Sequence, residues 1–93
     1  MPMVVNVEAK IFQVEKFKVN MLSGAGVNLR GNKKDMTQYP YKNKADGNWT
    51  VSEWIQNRFH STYAGLEVEV LDALDMPITG NTRLKNVRKT YEV

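Results

Sequence analysis

Arg58 is the residue of this 93-residue chain whose position most demands a chemical explanation. At 100° per residue, residues 51–64 place Val51, Trp54, Ile55, Phe59 and Tyr63 on one face of a helix, and Arg58 falls in the middle of that face. A buried guanidinium without a partner is strongly unfavourable. Arg58 therefore either forms a structural ion pair or stacks on an aromatic ring, or it lines a pocket and binds an anion there. Two basic segments are the other candidates. Lys33, Lys34, Lys42 and Lys44 surround Tyr39-Pro40-Tyr41, and Arg83, Lys85, Arg88 and Lys89 crowd the end of the chain. Cations for phosphates and rings for stacking are what a single-stranded nucleic-acid surface requires, so these residues are candidate anion or nucleic-acid contacts. Each has a plainer reading as well. Loop tyrosines often anchor a loop to the core, and cations near a helix C-terminus complement its dipole.

Catalytic chemistry has little to work with. There is no cysteine, which excludes disulfides, zinc–thiolate sites, iron–sulfur clusters and thiol nucleophiles. The single histidine, His60, lies on the polar face of the 51–64 wheel, and neither of its neighbours, Phe59 and Ser61, is placed on that face to make it a base. Glu67 and Glu69 share the outer face of a strand pattern, and Asp72 and Asp75 bracket a turn, where aspartate bonds locally to the backbone. No nucleophile–base pattern, metal-ligand spacing or phosphate-loop glycine pattern is present. The expectation is a chain that is not an enzyme and carries neither metal nor cofactor.

The elements that must position these residues are readable in part. Thr50 followed by Glu53 is a capping box, and Gly65 supplies the residue that closes a helix in the left-handed conformation. Between them lies the main helix. Val5, Val7, Ala9 and Ile11 alternate with Asn6, Glu8 and Lys10, which predicts an N-terminal strand. Phe17, Val19 and Met21 resume the alternation, Ser23-Gly24-Ala25-Gly26 turns, and Val27-Asn28-Leu29-Arg30 returns. Leu66, Val68 and Val70 mark a second hairpin, with Met76-Pro77-Ile78-Thr79 as an edge strand. Leu84, Val87 and Tyr91 predict a short C-terminal helix. Slid by 49 residues, residues 17–34 lie over 66–83, matching Val19 to Val68, Leu22 to Leu71, Gly31 to Gly80 and Asn32 to Asn81.

The predicted fold is α+β, one domain over residues 1–93. It has about five antiparallel or mixed strands (the N-terminal strand plus two hairpins), the main helix on one face and the short C-terminal helix. The hairpin–helix–hairpin order resembles a β-grasp arrangement, one of several that fit. The 31–49 connection is long for so small a domain, and such loops are often functional.

Composition sets the class of partner. The apolar share (42%) and charged share (25%) are those of an ordinary globular protein. The net charge of +3 is unevenly laid out. Residues 30–44 and 83–93 are basic, whereas residues 45–75 hold Asp46, Glu53, Glu67, Glu69, Asp72 and Asp75 against Arg58 alone. No apolar run is long enough to span a membrane and no signal peptide is evident, so the cytoplasm is expected. The functional expectation is a small binding module acting through protein–protein contact, self-association included. The alternative is a nucleic-acid-binding module that uses the basic and aromatic loop 30–44 and the basic segment 83–89.

Overall fold

The computed structural model describes residues 3–23 and 36–92, and its first element corrects the sequence expectation. The N-terminal segment is a helix, α1 (Val4–Glu15), and not a strand. Val4, Val7, Ile11 and Val14 are buried at spacings of three and four, while Val5 is 49% exposed. The alternation from Val5 to Ile11 fits a strand only as far as Phe12, and the break in phase there is where the helical stripe runs on to Val14. Strand propensity of β-branched residues is weak against packing of this kind.

The sheet is also smaller than expected. Among the described residues it has two antiparallel strands, β1 (Lys18–Leu22) and β2 (Glu67–Leu71), and not about five. Val19 faces Val70 and Met21 faces Val68, so both apolar pairs point into the core. The predicted return strand at 76–79 is reduced to one bridge, Leu71 to Pro77, beside an Ile78 N–H donated to the Val70 carbonyl at 2.8 Å. Pro77 has no N–H to extend a ladder. The other return strand, Val27-Asn28-Leu29-Arg30, lies outside the described residues. The two-stranded sheet leaves no basis for a β-grasp arrangement. The strands that the 49-residue offset superimposes are each other's partners in the sheet.

One side chain joins the two strands at their end. The Tyr91 hydroxyl accepts from the Lys18 N–H at 2.8 Å and donates to the carbonyl of Leu71, the residue opposite Lys18. On the α1 side, the Met21 N–H donates to the Glu8 carboxylate at 2.8 Å, while burial pushes that carboxyl above the usual range.

The main helix, α2 (residues 51–62), begins where predicted. Glu53 N–H donates to Thr50 Oγ1 at 3.2 Å and Thr50 N–H to Glu53 Oε1 at 3.0 Å, completing the capping box. The next free donors, Val51 and Ser52 N–H, are taken by the Thr82 and Gly80 carbonyls at 2.9 and 3.1 Å. After the α-helical turn Val51–Trp54 the helix widens to a π-helical stretch, Ile55–Phe59, and closes as His60–Thr62. Gly65 follows at φ 85°. The widening has a packing reason. Trp54 and Phe59 are five residues apart, so a regular α-helix would set them near opposite edges of its broad apolar face, about 140° apart. The π stretch turns both into the core, and it leaves Ile55 only half-buried.

Trp54 centres an aromatic core, with Phe17 edge-on at 5.1 Å between centroids and Phe59 at 6.1 Å. Leu84 and Val87 enter from the last helix, α3 (Leu84–Lys89). The described part of the long connection, residues 36–49, has neither helix nor strand, yet Met36, Tyr39 and Ala45 are buried.

Candidate functional site

Glu15 gathers the charged and aromatic candidates around itself. It is the last residue of α1, four after the buried Ile11, and is fully buried (0% exposed). Arg58 Nη1 donates to its Oε2 at 2.6 Å and Arg88 Nη2 to its Oε1 at 3.2 Å. Tyr39 Oη donates to Oε2 at 2.5 Å, and the Ala45 N–H to Oε1 at 2.8 Å. Arg88 Nε also donates to the Glu15 main-chain carbonyl at 2.7 Å. The Tyr39 hydroxyl in turn accepts from Trp54 Nε1 at 3.1 Å. One carboxylate thus joins α1, the 36–49 connection, α2 and α3.

Geometry of this kind makes Arg58 part of a buried ion pair. Its guanidinium lies 4.3 Å from the Tyr41 ring centroid, and its Nη1 donates to the Asn43 carbonyl at 2.7 Å. Burial opposes its charge, but contacts with Tyr39 and Glu15 outweigh that and hold its pKa above the ordinary arginine value. For Arg88 burial dominates and the pKa falls. Burial, followed by the Glu15 carboxylate, drives the Tyr39 phenol far up. The Tyr39 ring is 2% exposed and presents no face to solvent, and Tyr41 is half-buried beneath Arg58. Both are rings of the core wall.

Over this hub lies a groove of about 390 Å³ lined by Lys10, Gln13, Val14 and Lys16 of α1 and its C-terminal end, and by Lys42, Asn43 and Lys44 opposite. The hub holds both walls. Lys16 follows Glu15 directly, while Asn43 and Ala45 bond to Arg58 and Glu15 on either side of Lys44. Among the described residues none of the four lysines has an ion pair. Two guanidiniums share the single Glu15 carboxylate, so the charge beneath the groove is also positive. A cleft lined by one sign of charge focuses its field and draws counter-ions. Lys42 and Lys44 were legible as candidates. Lys10 and Lys16 were missed, because a strand reading of the N-terminus gives them no common wall with residues 42–44.

The remaining candidates are dispersed. Lys85 N–H donates to the Gly47 carbonyl, which sets the start of α3 beside the end of the connection. Arg83 Nη1 reaches the Asn48 carbonyl at 3.4 Å, and Lys89 is exposed on α3. Lys33 and Lys34 lie outside the described residues. His60 is 3.3 Å from Glu67 Oε2 at the surface. No group of three or more His, Asp or Glu side chains among the described residues is arranged to hold a metal ion, and no described helix is long and apolar enough to cross a membrane. A second groove, of about 270 Å³, runs between α1 and β1 and is walled mainly by apolar residues, including the partly exposed Val5 and Phe12. No family model, curated protein or solved structure matches the chain.

Proposed function

We propose that this chain is a non-enzymatic binding module that works by contact with another protein, holding an anionic stretch of that partner in the lysine groove. A cytoplasmic setting belongs to the same proposal. The observation that carries it is the convergence of Lys10, Lys16, Lys42 and Lys44 on one groove without ion pairs of their own among the described residues. Bringing like charges together is unfavourable until an anion joins them, so such a groove favours a ligand with several negative charges in a short span. Single-stranded nucleic acid is less well served, since base stacking needs free ring faces and both Tyr39 and Tyr41 are committed to the hub.

Fluorescence anisotropy with a labelled glutamate-rich peptide and a single-stranded oligonucleotide of matched charge tests the reading. The peptide is expected to bind at micromolar protein in about 50 mM salt and to weaken as salt rises. Tighter binding of the oligonucleotide would favour the nucleic-acid alternative. Sedimentation of the protein alone would reveal self-association. Failure of every anion to bind at low salt would reduce the groove to a solvated surface.

A further inference from the structure

Lys16 occupies a backbone position that lysine does not suit. Its φ is 69° and its ψ 27°, the left-handed conformation, and its N–H donates to the Phe12 carbonyl as the chain leaves α1. The fold requires that conformation, because the chain must reverse at once to bury Phe17 and start β1. Glycine meets the requirement without strain, and a side chain adds a steric penalty. The other non-glycine residue in this region among the described residues, Asp75, is of a type that turns accommodate through local hydrogen bonds; lysine has no such compensation. Strain retained at one residue on the wall of a charged groove is a pointer to use of its side chain. The plain alternative is that the ammonium, just past the end of α1, complements the helix dipole.

We infer that Lys16 is the anchoring residue of the groove, retained in a strained backbone conformation because its ammonium contacts the anionic partner. The inference rests on the binding reading above and names the residue on which that site depends. It makes the two possible roles of Lys16 separable by sign. A side chain kept for the ligand costs stability and supplies affinity, whereas one kept for the helix dipole supplies stability and no affinity.

The test measures peptide affinity and urea midpoint on the same variants. Lys16→Gly relieves the strain and removes the charge, so its midpoint should stay level or rise while peptide affinity falls about fivefold or more. Lys16→Asn, which tolerates the left-handed region, should lose affinity likewise, and Lys16→Arg should retain it. Unchanged affinity in Lys16→Gly and Lys16→Asn overturns the inference while leaving the groove as the binding site. A lowered midpoint in both does so too, by assigning the side chain to the fold. Absence of peptide binding in the unaltered protein is a different failure, which removes the binding reading and this inference with it.

Discussion

Glu15 shows how much one buried carboxylate can organise, and how costly its loss should be. It accepts from two guanidiniums, a phenol and a backbone N–H. Removing one partner of a buried pair leaves the others desolvated and unpaired, at about 3–5 kcal/mol. Against a total stability of about 5–15 kcal/mol for a domain, Glu15→Ala should bring the protein close to unfolding. Tyr63 is the opposite case. Its hydroxyl is buried with no hydrogen-bond partner among the described residues, and burial pushes the phenol pKa up. Deleting an unsatisfied polar atom removes a desolvation penalty, so Tyr63→Phe should gain about 1 kcal/mol. Urea melts of the two variants check both signs, and a Glu15→Ala midpoint equal to that of the unaltered protein would discard the hub as a stabilising centre.

The π-helical stretch of α2 is a packing device at the scale of the element. It lets Trp54 and Phe59 share one face despite their spacing of five, and rotates Ile55 partly outward. Truncating the fully buried Phe59 should therefore cost about 3–5 kcal/mol, and truncating Ile55 less than about 2 kcal/mol. A regular α-helix would bury Ile55 more fully and bring the two losses together. Comparable losses for Phe59→Ala and Ile55→Ala would accordingly mean that the helix is not widened there in solution.

Across the whole molecule, the end of the described chain closes what the beginning opens. Arg88 reaches Glu15, and the Tyr91 hydroxyl sits between Lys18 and Leu71 while its ring lies 5.8 Å from that of Phe12. Leu84 and Val87, both fully buried, complete the core. A chain shortened to end at Arg83 should lose its cooperative urea transition altogether, since a sheet of two strands has little stability of its own. Retention of a sharp transition by that truncation would show that residues 84–92 are an appendage.

What the amino-acid order determined by itself was local. Thr50 and Glu53 specify the start of α2 and Leu84 and Val87 mark the face of α3, because capping and helical period act within a few residues. Gly65 takes the left-handed conformation not at the helix end, which falls at Thr62, but in the turn beyond it, where the Leu66 N–H donates to the Tyr63 carbonyl. The position of Arg58 on an apolar face announced that it needs a partner. That the partner is Glu15, 43 residues away, was decided by the tertiary structure. The clue was a carboxylate four residues after Ile11, visible only once the N-terminus is a helix. Residues 4–11 satisfy a period of 2 as well as one of 3.6, and the choice between them depends on which face meets the core. The pairing of β1 with β2 spans even greater sequence separation, and the π stretch answers to the shape of the core around Trp54. The lysine groove belongs with these. Its two walls come from α1 and from an irregular connection, and only the buried hub between them brings their charges together.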